Sequence, residues 1–290
     1  MKNEIIKIDI NSSEYPDQLR NISNPPKQLY CMGNIELLQE QSVAVVGSRK
    51  YTLYGKTVAN IIGRKLGEIK LPVVSGLAYG IDAYAHEGVV EVNGRAIAVL
   101  GSGIDKMTPR CNYKLMCQII ENDGLVISEY APGFQAMKWS YPARNRIISG
   151  ISEAVIVVEA NFNSGALITA QCANDQGRAV YAVPGNINSQ FSMGSNLLIR
   201  DGAIPLVVID DVIRDIGYEV SSEDIREEAM DEDETKIFNV IKNFNGVSPD
   251  KVAEILETRV GQVNAIVTVL EIKGFVETYS GKIHLAKKKI

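Results

Sequence analysis

The sequence predicts a doubly wound α/β domain, in which helices cover both faces of a parallel sheet, followed by a small winged-helix domain. Short apolar runs rich in β-branched residues recur between residues 43 and 209, and helix-length amphipathic segments separate them. Apolar runs without alternation are typical of parallel strands buried on both faces. The predicted strands are VAVVG (43–47), PVVSG (72–76), AIAVLG (96–101), LVISE (125–129), AVIVVEA (154–160), AVYAVPG (179–185) and IPLVVI (204–209).

The distribution of charge suggests where the domains begin and end. The net charge is −5, but residues 1–218 carry only −1, residues 219–234 carry −8 and residues 235–290 carry +4. Because a short acidic run without apolar periodicity is typical of a solvated linker, the overall charge says little about what the folded parts bind. We predict a lead-in packed on the core (1–42), the α/β domain (43–218), an acidic linker (219–234) and a C-terminal domain (235–290).

The C-terminal segment has the pattern of three helices followed by a hairpin. Ser248 and Pro249 suit the N-cap and first position of the second helix, Gly274 ends the third, and Ser280-Gly281 marks a turn between two strands. The order predicts a winged helix, a fold that often reads duplex DNA. The third helix carries only Lys273 near its end, so contact with protein is favoured over duplex reading. The terminal lysines 287–289 are expected to form a solvated tail.

Composition excludes several classes of protein. The first 16 residues contain acidic side chains and no apolar core typical of a signal peptide, and no stretch has the apolar length of a membrane span. Four scattered cysteines without a CxxC pair, together with two histidines, indicate neither a disulfide framework nor a metal site. The sequence therefore predicts a cytoplasmic protein with no metal and no cofactor.

Glycine and serine recur immediately after the predicted strands. Loops that follow parallel strands gather at the carboxyl edge of the sheet, where free backbone N–H groups and helix N-termini favour anions. In any one loop, glycine is equally typical of a tight turn, but four such loops near two arginines favour a phosphate-binding surface. The candidate residues are Gly47, Ser48, Arg49, Ser75, Gly76, Gly101, Gly103, Arg110, Ser164 and Gly165.

Two further arginines open the helical segment RNRIISGI before the strand AVIVVEA. Both arginines, Arg144 and Arg146, are candidates for the phosphate-binding surface. We expect at least one of them, Arg144, to reach it. Alternatively, Arg146 pairs with Glu129 or Glu159 and holds the loop. Asn145, between them, is expected to bond backbone more than ligand.

These segments together resemble one known family. VAVVGSR, SGLAYGIDAYAH, GSGID, SEYAPG with YPARNRIISG, AVIVVEA with SGALITA, and AVPGNIN with GSNLLIRDGA look like the ordered motifs of the DprA/Smf family of natural transformation. The resemblance covers roughly residues 14–210. It implies an extended Rossmann-like fold that binds single-stranded DNA, forms a homodimer through that domain, and loads the recombinase RecA during transformation or recombination.

The resemblance also implies roles for particular residues. The family's arginine in VGSR falls on Arg49, the basic residue after its proline falls on Arg110, the RNR arginines are Arg144 and Arg146, and the SG of SGxLITA is Ser164 and Gly165. The chain departs from the pattern at Tyr79, where the family usually has a basic residue, and at Met107 and Thr108, where an aromatic residue commonly precedes the proline. Tyr79 either stacks on a base or packs within its loop.

An enzyme of a related Rossmann-like family that hydrolyses nucleotides is the alternative. Such enzymes carry a PGGxGT loop and a carboxylate base, whereas this chain has NFNSGALITAQ, with Ala170 and Gln171 after Thr169. Asp82 and His86 are spaced four apart on a predicted helix and could orient an imidazole, although a contact at the helix start is the simpler explanation. The loop GSRKYTLYG also lacks the dinucleotide-binding GxGxxG pattern. We therefore expect a binding protein with no catalytic residues.

Overall fold

A computed structural model of the chain describes residues 4–218, 232–244, 246–272, 275–279 and 281–286. The chain forms two compact units, residues 1–219 and 220–290. Most of the acidic stretch predicted as a linker lies outside the described residues, but residues 232–234 open a helix rather than extending a linker.

The first unit is built on a nine-stranded sheet with the order β1-β2-β6-β5-β4-β3-β7-β8-β9. Strands β3 to β9 pair in parallel, which confirms the predicted fold class, and β1 and β2 extend the sheet as antiparallel strands from the lead-in. The strands are β1 (Ile6–Asp9), β2 (Gln28–Gly33), β3 (Val43–Val46), β4 (Val73–Ser75), β5 (Ala96–Leu100), β6 (Leu125–Ser128), β7 (Ala154–Val157), β8 (Ala179–Ala182) and β9 (Ile204–Pro205).

The direction in which the chain builds the sheet changes next to β3. From β3 the chain adds β4, β5 and β6 on one side, then returns to place β7 on the other side of β3. The carboxyl ends of β3 and β7 therefore border a topological switch point, the usual ligand site in open α/β sheets. The helices are α1 (Asp17–Arg20), α2 (Leu53–Glu68), α3 (Ile81–Glu91), α4 (Tyr113–Glu121), α5 (Ser140–Gly150), α6 (Gly165–Asp175), α7 (Met193–Arg200) and α8 (Ile209–Asp215).

Alternate strand residues bury against different helices. Val46 and Val157 belong to one buried cluster with Ile147 and Ile148 of α5 and with Ala170 of α6. Neighbouring strand residues are also buried but point the opposite way, since side chains alternate along a strand. This double burial explains why the central strands are apolar at every position.

Helices α2 and α3 cross unusually close together, and glycine makes this approach possible. A Cβ on Gly63 would overlap the carbonyl oxygen of Ala85, and a Cβ on Gly88 would overlap that of Asn60. The two helices therefore pack backbone to backbone. Because α3 follows directly from the 76–80 loop, this packing fixes the base of that loop.

The described residues of the second unit form three helices and a pair of antiparallel strands: α9 (Glu232–Asn243), α10 (Pro249–Ile255), α11 (Val260–Ile272), β10 (Val276–Tyr279) and β11 (Lys282–Leu285). As predicted, the Ser248 hydroxyl caps α10 by accepting from the Lys251 N–H at 3.3 Å, and Pro249 occupies the first turn. Lys273, Gly274, Ser280 and residues 287–289 lie outside the described residues. The winged-helix assignment stays a prediction. Within the described part of the chain, no helix is long and apolar enough to cross a membrane.

We expect Gly63→Ala to destabilise the first unit. The added methyl group would collide with the Ala85 carbonyl, and overpacking of this kind costs about 1–3 kcal/mol, which exceeds the gain of about 1 kcal/mol from higher helix propensity. Chemical denaturation would measure the change. Gly261→Ala in α11, where an added Cβ meets nothing within 4 Å, is the matched control and should not destabilise its unit. A Gly63→Ala protein more stable than the parent would contradict the close crossing.

Candidate functional site

An open pocket of about 480 Å³ lies at the switch point between β3 and β7. Three regions that are distant in the sequence supply most of its lining: the loop after β3, α5 with the residue Lys138 before it, and α6 with the loop that precedes it. Seven of the predicted residues meet here, namely Gly47, Ser48, Arg49, Arg144, Asn145, Ser164 and Gly165.

Hydrogen bonds to Glu159 hold the loop after β3. The Ser48 N–H donates to the Glu159 carbonyl at 2.7 Å, and the buried Glu159 carboxylate accepts from the Thr52 N–H at 2.9 Å and the Thr52 hydroxyl at 2.6 Å. Ser48 is itself buried, and its hydroxyl accepts from the Lys50 N–H at 3.1 Å. Glu159 is therefore committed to this loop and does not pair with Arg146. The backbone is fixed, while Arg49 and Lys50 point outwards.

Arg49 stands exposed at the pocket with its guanidinium 4.9 Å from the centre of the Tyr141 ring. Lys50 and Lys138 line the same pocket. Among the residues that the structure describes, none of these three cations has a carboxylate within ion-pair distance. The pocket therefore presents three cations that form no ion pair with a described carboxylate, and Asp82 is the one acidic residue that lines it with them.

The start of α6 adds backbone donors to this surface. The Ser164 hydroxyl accepts from the Ala166 N–H at 3.3 Å, and the Asn145 side chain donates to the Gly165 carbonyl at 3.1 Å, as expected for a residue that bonds backbone. Gly165 is exposed, and a side chain there would meet nothing within 4 Å. Because the first N–H groups of a helix carry partial positive charge, this open end is suited to an anion.

Arg144 occupies a different position from the exposed phosphate contact predicted for it. Its side chain is only 4% exposed, and Nη1 donates to the carbonyls of Gly76, at 2.7 Å, and of Val99. Nε donates to Asn145 Oδ1 at 3.3 Å. The Arg144 N–H groups that could have bonded to a phosphate thus donate to carbonyls at the ends of β4 and β5 instead. The guanidinium lies beneath the pocket.

Electrostatics favour a charged Arg144 despite its burial. Burial lowers its pKa to about 10, the charge of Asp82 opposes this shift, and Arg49 adds to it by repulsion. The guanidinium therefore stays protonated at neutral pH. Burial raises the pKa of Asp82, whereas Arg144 and backbone N–H groups, including that of Gly47, lower it.

Arg146 has a structural role, because its guanidinium donates to three protein acceptors. Nη2 donates to Glu129 Oε1 at 2.7 Å, Nη1 to the Ala143 carbonyl at 2.8 Å, and Nε to the Asn24 carbonyl at 2.9 Å. Of the two carboxylates considered for it, Glu129 is the partner. Since all three nitrogens of the guanidinium donate to protein acceptors, Arg146 joins α5 to the lead-in and does not line the pocket.

A second, smaller pocket of about 90 Å³ adjoins the first and shares Arg49 and Tyr141 with it. Gly76, Gly101, Tyr79 and Pro109 also line it. Arg110 follows Pro109 and is exposed, but it lines neither pocket.

Ser75 and Gly103 do not belong to this surface, contrary to prediction. Both are buried: the Ser75 hydroxyl donates to the Val45 carbonyl at 2.6 Å, and the Gly103 N–H donates to the Phe134 carbonyl at 3.0 Å. They hold neighbouring strands and loops together.

The spacing of Asp82 and His86 does not produce a hydrogen-bonded pair among the described contacts. Asp82 Oδ1 accepts from the Gly47 N–H at 3.3 Å at the edge of the pocket. His86 is fully buried, and burial lowers its pKa to about 4, so the imidazole is neutral at pH 7 and sealed from solvent. Within the described ranges, no group of three His, Cys, Asp or Glu side chains is placed to hold a metal ion.

Among the lining residues that were not predicted are two cations and an aromatic ring: Lys50, Lys138 and Tyr141. The signal for Lys50 was its position directly after Arg49. The signal for Lys138 and Tyr141 was their position just before the RNR segment, since residues entering α5 must reach the same edge as its middle.

Comparison with known proteins gives a consistent result. The family model described as DNA recombination-mediator protein A matches residues 7–217. The chain is 43% identical over 205 residues to the DNA processing protein DprA of Streptococcus pneumoniae, covering 70% of this chain and 72% of that protein. It is 38% identical over 211 residues to the protein Smf of Escherichia coli, covering 73% of this chain but only 56% of that protein.

Two solved structures share the fold. The structure of DNA processing protein A from Streptococcus pneumoniae is 41% identical with a TM-score of 0.68, covering 73% of this chain and 75% of that chain. That of DNA processing protein A from Helicobacter pylori, described for its single-stranded DNA binding mode, is 29% identical with a TM-score of 0.67, covering 76% of this chain and all of that chain. The chain belongs to the DprA/Smf family of DNA recombination-mediator proteins.

Proposed function

We propose that this protein binds single-stranded DNA at the carboxyl edge of its large sheet. The observation that carries the proposal is Arg49, an exposed cation without a carboxylate partner among the described residues, at the junction of two adjoining pockets. The binding mode reported for the relative from Helicobacter pylori supports it.

The binding energy comes mainly from phosphate contacts. Arg49, Lys50 and Lys138 supply mobile positive charge, and the first N–H groups of α6 supply fixed donors. Arg144 adds a buried charge beneath the pocket without direct contact, and Arg110 extends the basic surface along the strand's path. Such contacts position the backbone and carry little sequence information, so binding is nearly independent of sequence.

The surface favours a single strand over a duplex. Its anion sites lie in pockets at the switch point, between the loop after β3 and the start of α6. A flexible single strand can bend its phosphates into such recesses, whereas a duplex holds its phosphates on a stiff cylinder. We propose binding without covalent chemistry, because Asp82 is held by Gly47 and His86 is sealed in the core.

The proposal extends to recombination partners. We propose that the protein delivers single strands to the recombinase RecA during natural transformation and that the large unit forms a homodimer. The family's description as a recombination mediator supports the role in recombination. The second unit is proposed to contact protein, because α11 contains no lysine or arginine over its described length, Val260–Ile272. A helix without cations is poorly suited to duplex phosphates.

Arg49→Ala is the direct test of the DNA-binding proposal. We expect it to weaken binding of all single-stranded sequences alike and to reduce the slope of log K against log salt by about 0.7, the value for one lost phosphate contact. Fluorescence anisotropy across a salt series, with single strands and blunt duplex, would measure both. Arg64→Ala is the matched control, since Arg64 is an exposed arginine that pairs with Glu91 and lines neither pocket. Equal affinity of the parent protein for duplex and single strand would overturn the proposal.

Arg146→Ala should destabilise the protein while leaving the salt slope unchanged. It removes a largely buried ion pair with Glu129 and two bonds to backbone carbonyls, and we expect a loss of about 2–4 kcal/mol, below that of a fully buried pair because both side chains keep some exposure. Arg144→Ala should also lower stability, since it strands the carbonyls of Gly76 and Val99. Chemical denaturation of both variants would measure the change in the free energy of unfolding. An unchanged melt for Arg146→Ala would rule out its structural role.

A chain truncated after Gly217 should retain most of the affinity for single strands. All residues assigned to the two pockets lie within the first compact unit. Anisotropy titrations on the truncated and full-length proteins would compare them, with circular dichroism as the control for folding. Loss of most affinity in a folded truncated chain would show that the second unit carries essential DNA contacts.

A further inference from the structure

An exposed aromatic ring stands beside the proposed phosphate contact. Tyr79 is 54% exposed and lines the smaller pocket together with Arg49, Tyr141 and Pro109. Several aromatic rings of this chain are equally exposed, but Tyr79 combines its exposure with a place in a pocket that also contains Arg49, where a ring can contact a bound ligand.

The loop that carries Tyr79 is fixed in an unusual conformation. Leu77 has φ of 50° and Gly80 has φ of 94°, so the loop passes twice through the left-handed region within four residues. The Asn112 side chain holds it by donating to the carbonyls of Leu77, at 3.0 Å, and Ala78, at 3.2 Å. A leucine in this region is strained and persists only where its surroundings enforce it.

Other tyrosines support the ring from the protein side. The Tyr51 ring lies 6.3 Å from that of Tyr79, with 48° between the ring planes. Tyr51 is in turn held by Tyr84, whose hydroxyl lies 2.5 Å from its own. The ring of Tyr79 therefore has the Tyr51 ring as a neighbour and also lines the smaller pocket.

We propose that Tyr79 is a stacking platform for one nucleobase of the bound strand, adjacent to the phosphate held by Arg49. The inference rests on the proposed single-strand binding and assigns a base contact within that site. A flat, uncharged ring beside a cation matches a nucleotide, which joins a flat base to an anionic phosphate. Stacking accepts any base, because every base has a π-face, and it requires the base to be unpaired.

The test compares Tyr79→Ala, Tyr79→Phe and Tyr79→Trp on a homothymidine strand and on an abasic strand of the same length. We expect Tyr79→Ala to raise Kd for homothymidine at least about fivefold, the low end for lost aromatic stacking, and to change Kd for the abasic strand little. Tyr79→Phe and Tyr79→Trp should bind homothymidine like the parent or more tightly. The salt slope should stay unchanged in all three, because no phosphate contact is lost.

Tyr113→Ala is the matched control, since Tyr113 is similarly exposed, at 58%, but lines neither pocket. Equal affinity of Tyr79→Ala and parent for homothymidine would overturn the stacking role while leaving phosphate binding intact. An equal loss on homothymidine and abasic strands would likewise overturn it, because the effect would then not depend on a base. A parent protein that binds no single strand would overturn the proposed function itself, and the stacking inference with it.

Discussion

The buried guanidinium of Arg144 is the interaction on which the carboxyl edge of the sheet depends. It reaches from α5 to the carbonyl of Gly76, just beyond β4, and to the carbonyl of Val99, near the end of the adjacent strand β5. Its positive charge also attracts the carboxylate of Asp82, which accepts a hydrogen bond from the Gly47 N–H. The loops after β3 and β4 and the end of β5 are thus tied to one cation. An unpaired buried charge costs several kcal/mol, so this arrangement tolerates few alternative loop positions.

The same cation shapes what the surface can bind. Arg49 lies near enough to Arg144 for mutual repulsion to lower the pKa of the buried arginine. An anion placed beside Arg49 relieves that repulsion and gains attraction from both charges, whereas a cation is repelled by both. The pocket is therefore organised for negative charge before any ligand arrives, which reduces the reorganisation that binding requires.

The sequence predicted the parallel sheet, but it did not predict which arginine of the RNR segment lies beneath the pocket and which one pairs with Glu129. Continuous apolar runs predicted the parallel strands, although IPLVVI forms only the two-residue edge strand β9, whereas β1 and β2, from the lead-in, have mixed burial and no comparable pattern. Residues two apart on a helix point about 200° away from each other, so Arg144 and Arg146 had to face opposite sides. Spacing alone does not say which side meets the strand ends. That choice depends on how α5 packs, and only tertiary structure supplies it.

Net charge is a poor guide to this protein because binding depends on the local field. The chain has a pI near 5.3, yet three cations without carboxylate partners among the described residues line one pocket. At physiological ionic strength, charges further apart than about 8 Å are largely screened in solvent. Carboxylates elsewhere in the sequence therefore lower the pI without cancelling the potential felt by a phosphate at Arg49. An acidic protein can bind a polyanion when its folded surface separates the two signs of charge by more than this distance.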